Sequence, residues 1–400
     1  MLSFKTPLKL ALLFMVITVG SCQEKYPDLE DGLYAEFVTS KGTMLAKLFH
    51  EKVPVTVANF VALAEGTHPK LPDSLKGKPF YNGVTFHRVM DKFMIQGGDP
   101  TATGTGSPGY VFEDEFDITL KHDKPGVLSM ANPSANANGS QFFITEVPTP
   151  WLDGFDEQGA IKNCEDPRVY CHSIFGELIQ GEAVRDTISN VAVDKSNNKP
   201  LEDVIIHEIN IIRKGKEAKA FDAATVFTEQ APLLAEKLQK LKDEAETKLK
   251  EKSKLAADAF IEKNKDYPGT VTQTETGLVI LLNAAEDGKK PSSADKVLID
   301  CAGYFEDGRL FYTTWKEVAE QNNMYNEQAA AQGAYEPFAM PYNNTATLVP
   351  GFREAMLSMN IGDKARVFIP SYLGYGPRGN GPIPPDTNLV FDIELVGIQK

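Results

Sequence analysis

The chain has few of the residues that mark several large classes of protein. Only four of its 400 residues are cysteines. No internal apolar run reaches the roughly 20 residues that span a bilayer. Basic residues number 41 against 55 acidic ones, which gives a formal net charge of −14, and such a surface argues against general nucleic-acid binding. With 42% hydrophobic and 24% charged residues, the composition is globular, and the length suits two or three domains.

The N-terminus is expected to be an export signal. Residues 1–21 carry two lysines and then an apolar stretch over residues 10–19, which is too short for a transmembrane helix and typical of a signal-peptide core. The following Val19-Gly20-Ser21-Cys22 resembles the lipobox of bacterial lipoproteins, in which the cysteine is acylated and becomes the first mature residue. The alternative is an ordinary secretory signal with an incidental cysteine. Under the first interpretation residues 22–31 are a polar tether, and the protein is anchored to a membrane of the cell envelope, facing the periplasm or the cell surface.

The remaining cysteines agree with export. Cys164 and Cys171 lie close together in the sequence, and an oxidising compartment would allow a disulfide between them that stiffens a short loop. A metal site that includes the adjacent His172 is the alternative. It is disfavoured because the spacing matches no known zinc pattern and no second Cys/His pair occurs elsewhere.

Three regions follow the tether. Residues 32–213 and 270–400 contain short apolar strands separated by turn residues, whereas residues 214–269 are predicted to be a helical linker, with a helix over about 228–264. Its apolar stripe repeats every three or four residues at Leu234, Leu238, Leu241, Ala245 and Leu249. The stripe holds for only two or three heptads. We therefore favour a spacer packed on its neighbours over the alternative, a coiled coil that forms a dimer.

The first domain contains four segments with a shared chemistry: residues 86–99 (FHRVMDKFMIQGGD), 126–144 (GVLSMANPSANANGSQFFI), 151–154 (WLDG) and 172–176 (HSIFG). They supply large apolar groups, and donors and acceptors come from a small set of polar side chains: Arg88, Gln96, Asn132, Gln141 and His172. No serine, cysteine or carboxylate pair stands out beside a base, so covalent or acid–base catalysis has no obvious participants. An apolar cleft with a few polar groups indicates peptide binding.

These segments, in this order, resemble the cyclophilin family of peptidyl-prolyl isomerases over about 180 residues. The resemblance implies a closed eight-stranded antiparallel barrel with two helices. It assigns catalysis to Arg88. It assigns substrate binding to a set of cleft residues: Phe93, Met94, Gln96, Ala131, Asn132, Gln141, Phe143, Trp151, Leu152 and His172.

The chain departs from the cyclophilin pattern at two places. Residues 155–171, which include both paired cysteines, separate the Trp-Leu-Asp-Gly block from His172, and we expect this insertion to form a flap beside the cleft. A second extension, at residues 67–78, is expected to lie on the surface.

The C-terminal region contains LVPGFREAML (348–357), FIPSYLGYG (368–376) and PIPPDTNLVF (382–391), and it resembles the FKBP family of prolyl isomerases over about 120 residues. The family fold is a curved antiparallel sheet around a short helix, expected here near residues 351–359. The resemblance gives Tyr375 a catalytic role in anchoring a substrate carbonyl. It assigns the remaining pocket positions to Phe311, Phe338, Leu348, Val349, Phe352, Ile383 and Phe391.

Departures from the FKBP pattern are larger. Cys301 and Phe352 stand where the family has tyrosine and tryptophan, and Tyr312 replaces an aspartate that contacts the ligand. About 24 residues (313–336) are inserted beside the pocket. A pocket that binds without turnover is the alternative for this half.

Taken together, the sequence predicts a multi-domain, mainly β chain that resembles the dual-family immunophilins. The expected function is cis–trans isomerisation of Xaa-Pro bonds in exported proteins during folding, with unfolded or partly folded proline-containing polypeptides as partners. It needs no cofactor and no metal. The alternative from another class is a holdase chaperone whose FKBP-like half is not catalytic, and a third hypothesis is a dimeric scaffold built on the helical linker.

Overall fold

The structure, a computed structural model, describes residues 25–157 and 159–399. The predicted signal at residues 1–21 and the acylation site Cys22 lie outside the described residues. Within the described ranges, no helix has the length and apolar character that crossing a bilayer requires.

The first region is built mainly from short strands and two helices. In chain order they are β1 (Gly32–Thr39), β2 (Gly42–Leu48), α1 (Pro54–Glu65), β3 (Arg88–Met90), β4 (Met94–Gly97), β5 (Val127–Met130), β6 (Phe142–Thr145), β7 (Ile174–Gln180), α2 (Glu182–Ser189), β8 (Val193–Asp194), β9 (Lys199–Pro200) and β10 (Ile206–Lys214). Eight of these strands form one antiparallel sheet in the order β10-β1-β2-β7-β5-β6-β4-β3, and β8 and β9 form a separate hairpin.

The sheet curls into a half-barrel but does not close, so the expectation of a closed barrel was wrong. Its end strands, β3 and β10, are not paired with each other; instead, the segment before β3 meets the start of β10 through an isolated bridge between Thr85 and Ile205 and the backbone hydrogen bonds around it. β3 is only three residues long. The backbone N–H of Val89, in its middle, donates to the backbone carbonyl of Asn198, at the end of the β8–β9 turn, at 2.8 Å. That N–H is therefore not available to β10.

Helix α1 fills the interior of the curled sheet. Pro54 occupies its first turn, where the missing N–H costs nothing, and Gly66 ends it in a left-handed conformation (φ 72°). All residues from Val55 to Ala64 are buried. The ring of Phe60 contacts those of Phe142 and Phe175 at centroid distances of 5.7 and 5.1 Å, so the helix supplies the centre of the core.

The linker is helical, but it consists of several helices and not of one helix over residues 228–264. Its helices are α3 (Gly215–Ala220), α4 (Ala223–Gln230) and α5 (Leu234–Lys263), and α4 is capped by Asp222, whose side chain accepts from the N–H of Thr225. The predicted start at residue 228 was wrong. Pro232 lacks the N–H that would continue the hydrogen-bond ladder, and residues 231–233 form a 3₁₀ turn between α4 and α5. At 1.5 Å per residue, α5 is about 45 Å long.

The two ends of the linker pack on different domains. Phe227, Ala231 and Leu234 belong to the buried core of the first domain. Near the other end, Ala257 and Phe260 pack on the sheet of the second domain. The apolar residues at both ends of the linker are therefore covered within the chain.

The extension at residues 67–78 is exposed except at two positions. His68 and Leu71 are buried, at 0 and 3% exposure. The His68 ring stacks on Tyr110 and meets Phe227 of α4 edge-on, each at 4.4 Å between centroids. Most of the extension therefore lies on the surface, as expected, while His68 packs against α4.

The second region has a sheet with a helix on each face. Its elements are β11 (Thr270–Gln273), β12 (Val279–Asn283), β13 (Lys296–Phe305), β14 (Leu310–Thr313), α6 (Lys316–Gln321), α7 (Glu327–Ala330), β15 (Phe338–Pro341), α8 (Pro350–Ser358), β16 (Lys364–Ile369) and β17 (Leu389–Ile398). The antiparallel order is β11-β12-β16-β17-β13-β14, and β15 also pairs with β13. Helix α8 buries Phe352, Ala355 and Met356 on one face, and α5 covers the other.

Candidate functional site

A cleft of about 1010 Å³ opens on the first domain. It brings together every residue that the sequence assigned to a prolyl-binding site there: Arg88, Phe93, Met94, Gln96, Ala131, Asn132, Gln141, Phe143, Trp151, Leu152 and His172. These residues come from positions 88 to 172 of the chain, so the fold assembles the site from several strands and loops.

The hairpin of β3 and β4 sets the position of the arginine. Arg88 lies opposite Gln96, and Val89 lies opposite Ile95. Because side chains alternate along a strand, Val89 and Ile95 (1 and 0% exposed) point into the core while Arg88 and Gln96 point into the cleft.

The apolar part of the cleft is a small cluster separate from the main core. Met94, Phe143 and Leu152 are buried there at 2, 4 and 4% exposure, and Phe93 and Ala131 pack against them. Trp151 forms the rim and stacks on the Phe93 ring at 6.2 Å. The cluster therefore gives the cleft an apolar surface beside its polar groups.

A chain of amide hydrogen bonds fixes Arg88 beside this surface. The guanidinium donates from Nη1 to Oε1 of Gln96 (3.1 Å), and Gln96 donates from Nε2 to Oε1 of Gln141 (3.0 Å). Gln141 donates in turn to the carbonyl oxygens of Gly104 and Gly106 (3.1 and 3.0 Å). Partial burial lowers the pKa of Arg88 from its usual value, but an arginine keeps its proton in proteins, so the cleft holds a fixed cation.

The loop that receives Gln141 is organised by Asp99, which is 1% exposed. Its carboxylate accepts from the backbone N–H groups of Thr101, Thr103, Gly104 and Gly106, at 2.6 to 3.1 Å. Burial alone raises the pKa of Asp99, but the hydrogen bonds from Thr101, Gly106 and Gly104 outweigh it and lower the pKa to about 2. Residues 104–108 line the cleft, and the sequence reasoning did not include them. The run of Thr, Gly and Ser after Asp99 is the signal that would have found this loop.

His172 reaches the cleft despite the preceding insertion. Its ring donates from Nδ1 to the Met130 carbonyl (3.0 Å) and meets the Phe143 ring edge-on at 5.2 Å. Burial, partly offset by that hydrogen bond, lowers the pKa of His172 to about 4, so the imidazole is neutral near pH 7. Asn132 is held beneath it by a bond from Nδ2 to the Cys171 carbonyl (3.3 Å).

The insertion lies beside the cleft, and Cys164 and Cys171 are joined in a disulfide. We call residues 164–171 the disulfide flap; several of them, including Val169 and Tyr170, line the cleft. The metal hypothesis for these cysteines is not favoured, since their sulfur atoms are bonded to each other. In the described part of the chain, no group of three or more His, Cys, Asp or Glu side chains is arranged to hold a metal ion.

A serine, a histidine and an aspartate that sequence reasoning missed also lie near the cleft. His122 contacts Asp153 through Nδ1 and Ser129 through Nε2, each at 2.7 Å. This order of groups resembles that of a hydrolase triad. Ser129 and His122 are both 0% exposed, however, so no substrate atom can reach them. The His122 ring stacks on Phe143 at 6.0 Å, which supports the apolar cluster.

The residues assigned to the second site also converge. Phe352, Ile383 and Phe391 are buried in the core of the second domain, and a second group is half-buried against them: Phe311, Phe338, Leu348, Val349 and Tyr375. The Phe391 ring meets Phe311 and Phe352 edge-on at 5.6 and 5.1 Å. The Tyr375 hydroxyl makes no hydrogen bond to any part of the chain that the structure describes, which leaves it able to bind a substrate carbonyl.

Comparison with known families gives two matches. The model described as "Cyclophilin type peptidyl-prolyl cis-trans isomerase/CLD" matches residues 34–211, and the model described as "FKBP-type peptidyl-prolyl cis-trans isomerase" matches residues 287–396. These ranges lie inside the two β regions, on either side of the helical linker.

Relatives of the first domain carry matching names. Peptidyl-prolyl cis-trans isomerase A of Mycobacterium tuberculosis is 45% identical over 178 residues, which are 43% of this chain and 88% of that protein. Peptidyl-prolyl cis-trans isomerase B of Streptomyces anulatus is 40% identical over 188 residues, 45% of this chain and 97% of that protein. A solved cyclophilin-type isomerase of Cryptosporidium parvum is 34% identical and covers 46% of this chain and 98% of its own, with a TM-score of 0.36.

The cleft and the relatives lead to one assignment. The cleft holds a fixed cation beside an apolar cluster, and its domain is closely related in sequence to proteins named as isomerases. The chain belongs to the cyclophilin-type family of peptidyl-prolyl cis-trans isomerases, and it carries an FKBP-type isomerase domain after its helical linker.

Proposed function

We propose that this isomerase acts on proline-containing polypeptides that fold outside the cytoplasm, with Arg88 as the catalytic group of the first domain and Tyr375 as that of the second. The observation that carries the proposal is the placement of the Arg88 guanidinium, held by Gln96 beside the apolar cluster of Met94, Phe143 and Leu152.

The chemistry requires stabilisation of a twisted amide. Rotation about a peptide bond costs about 18–20 kcal/mol because the nitrogen lone pair is conjugated with the carbonyl. Unaided Xaa-Pro bonds therefore exchange in tens to hundreds of seconds. In the twisted transition state the prolyl nitrogen becomes pyramidal and basic, so it accepts a hydrogen bond that the planar ground state cannot accept.

Arg88 can donate that bond. Its Nη1 atom is engaged by Gln96 and its Nη2 atom contacts the Met90 sulfur (3.1 Å), which fixes the plane of the guanidinium. A donor that is already oriented pays no reorganisation energy at the moment of rotation, and it stabilises the transition state more than the ground state. The apolar cluster holds the proline ring while the preceding carbonyl turns.

The second site works without a charged group in this proposal. An aromatic, water-poor pocket formed by Phe311, Phe352 and Phe391 favours the less polar twisted amide. Tyr375 anchors a substrate carbonyl through its hydroxyl. Tyr312, where the family has aspartate, is 45% exposed, and burial of its ring together with the nearby Cys301 raises its pKa.

Two features support action outside the cytoplasm. The disulfide between Cys164 and Cys171 persists in oxidising compartments. The N-terminal sequence ending at Cys22 has the order of charged, apolar and small residues that a lipoprotein signal has. The proposed arrangement is a lipid anchor on Cys22, with both isomerase domains in the cell envelope. Replacing Cys22 with Ser should abolish incorporation of radiolabelled fatty acid, and unchanged labelling would contradict the anchor.

The catalytic assignment is tested with Arg88→Ala in the full chain, in the wild-type background and in a Tyr375→Phe background. A protease-coupled assay with a short Xaa-Pro peptide measures kcat/KM. Removing one preorganised donor costs about 100- to 1000-fold, so the first domain should contribute almost nothing after the substitution. Arg88→Lys keeps the charge but loses the planar fork, and we expect it to restore only part of the rate.

Arg309→Ala is the matched control, since Arg309 is an exposed arginine that pairs with Asp307 (2.7 Å) outside both sites. We expect its rate to equal that of the wild type. If Arg88→Ala leaves kcat/KM unchanged in both backgrounds, Arg88 is not the catalytic group.

A holdase is the second candidate function. It is favoured by the apolar rim of the first cleft, which we define as Val111, Trp151 and Tyr170 and which is 57, 55 and 59% exposed. Such a surface suits capture of unfolded chains. Aggregation suppression that persists in the Arg88→Ala/Tyr375→Phe protein would support this candidate, whereas its loss would favour catalysis. A mass that rises with protein concentration would support dimerisation through the linker instead.

A further inference from the structure

The disulfide flap is held from outside its own domain. Glu165 and Asp166 are consecutive, and each pairs with a cation that lies beyond residue 214 in the sequence. Glu165 pairs with Lys242 of α5 at 2.7 Å, and Asp166 accepts from Nε of Arg378, in the second domain, at 2.8 Å. The two contacts connect the flap both to the linker and to the FKBP-type domain.

Asp166 is the more enclosed of the two acids. Its side chain is 3% exposed and also accepts from Arg168 of the flap itself at 2.9 Å. Hydrogen bonds from Arg168, with the charge of Arg378 added, lower the pKa of Asp166 to about 2. The carboxylate is therefore ionised throughout the neutral range, and its contact with Arg378 persists there.

Arg378 belongs to the loop that forms the second site. It ends the 3₁₀ turn Gly376–Arg378, directly after Tyr375, and the chain then returns to Ile383. The same loop approaches the first domain at a second point. Burial, followed by the charge of Asp156, raises the pKa of Asp386. The loop carrying Tyr375 and Ile383 is thus also the loop that touches the flap.

The other side of the flap lines the first cleft. Val169 and Tyr170 are part of the cleft wall but not of the apolar cluster that would hold the proline ring. Tyr170 is one of the three exposed side chains of the apolar rim. A short peptide that contains only the proline and its immediate neighbours would contact the apolar cluster and Arg88. A longer polypeptide in the same cleft would also contact the flap.

We propose that Arg378 is a positioning residue that holds the disulfide flap from the second domain, so that Val169 and Tyr170 form a subsite for substrate residues more distant from the proline. This inference rests on the proposed function, because the subsite has a use only if the cleft binds proline-containing chains. It makes the FKBP-type domain a determinant of the substrate preference of the cyclophilin-type domain.

The experiment compares two peptides that share one Xaa-Pro core, a tetrapeptide and a dodecapeptide with apolar flanks. Binding to the first cleft is followed by the fluorescence of Trp151 in a full chain carrying Trp315→Phe, since these are the two tryptophans of the protein. With Tyr375→Phe added to this background, so that turnover reports on the first cleft, kcat and KM are measured for Arg378→Ala, Arg378→Glu and Arg378→Lys. Arg309→Ala serves as the control, because Arg309 is also an exposed arginine of the second domain paired with an aspartate.

Arg378 is 59% exposed, so loss of its contact is expected to have a small effect. For the dodecapeptide, Kd and KM should rise about two- to fivefold in Arg378→Ala and more in Arg378→Glu, which places two carboxylates together. Arg378→Lys should restore most of the affinity. For the tetrapeptide, Kd, KM and kcat should match those of Arg309→Ala. High salt should weaken dodecapeptide binding to the wild type and have less effect on Arg378→Ala.

Three results would overturn the inference. Dodecapeptide binding that is equal in all the variants means that Arg378 does not position the flap. Equal weakening for both peptides means that the substitution disturbs the whole domain. If the wild type binds and turns over neither peptide, the proposed function itself has failed, and that outcome is distinct from the other two.

Discussion

Replacing Asp99 with Asn should disturb both the stability of the first domain and its catalysis. The Asp99 carboxylate connects to the arginine through a continuous path. It organises the loop over residues 101–106 by accepting hydrogen bonds from its backbone N–H groups. A carbonyl oxygen of this loop accepts a hydrogen bond from Gln141, the side-chain oxygen of Gln141 accepts one from Gln96, and that of Gln96 accepts one from Arg88. An asparagine has one acceptor oxygen in place of two, and its amide group would face N–H donors.

The size of the effect follows from the pKa of Asp99. Its lowering from 3.8 to about 2 means that folding favours the charged carboxylate, which at about 1.4 kcal/mol per unit is worth about 2 kcal/mol. The pKa is depressed in the folded state, so this stabilisation is fully present above pH 3.8 and is lost as the pH falls through about 2. At pH 7 the variant should be less stable by about 2 kcal/mol, which is about 4–8 °C in Tm for a domain of this size.

The stability assay is urea unfolding followed by Trp151 fluorescence in the Trp315→Phe background, at pH 7 and at several acidic pH values. The difference between wild type and Asp99→Asn should shrink as the pH approaches 2. At pH 7, kcat/KM for a short peptide should fall, and the fall should disappear in Arg88→Ala because the two residues act through one path.

Asp194→Asn is the matched control. Asp194 makes the same pair of bonds to Ser196, at 2.8 and 2.7 Å, that Asp99 makes to Thr101, but it is exposed and lies outside the cleft. If Asp99→Asn changes stability and kcat/KM no more than Asp194→Asn does, the path from Asp99 to Arg88 has no energetic role.

Two further predictions concern stability. Burial, with Lys70 nearby, lowers the pKa of His68 from 6.5 to about 3, so the unfolded chain binds the proton first and stability should fall as the pH drops from 6.5 towards 3. The loss of folding free energy is about 3 kcal/mol at pH 4. His68→Phe keeps an aromatic ring between Tyr110 and Phe227 and should remove this pH dependence of stability. A pH slope in urea unfolding that is the same for His68→Phe as for the wild type would contradict the prediction. Replacing Cys164 and Cys171 with Ser opens a short loop, which costs roughly 2.5 kcal/mol in chain entropy. Reduction of the wild type should lower Tm as the double variant does, and equal Tm values before and after reduction would contradict the prediction.

The residues of the first cleft were largely predictable from the sequence. Arg88, Gln96, Phe143 and His172 lie in short segments whose order and residue types identify them. A strand puts alternate residues on one face, so the positions of Arg88 and Gln96 follow from those of Val89 and Ile95.

Features that depend on distant contacts were predicted less well. The prediction of a closed barrel was wrong because the pairing of β3 depends on the β8–β9 hairpin, which is about 100 residues further along the chain. The predicted start of the linker helix was wrong because Pro232 interrupts the helical region, while packing of Phe227 in the core of the first domain favours helix before it. The burial of His68 and Leu71 could not be predicted, because it depends on residues far along the chain, such as Phe227 of α4, which contacts His68.

The sequence alone determined the two isomerase families, the apolar and amide groups of each site, the single cation of the first site and the helical character of the linker. These are local properties, set by residue type and by the spacing of a few residues along the backbone. Only the tertiary structure decided that Asp99 is connected to Arg88, and that Arg378 of the second domain pairs with Asp166 of the disulfide flap. Hydrogen bonds and ion pairs of this kind depend on distances of about 3 Å between residues far apart in the chain, and no periodicity in the sequence records such distances.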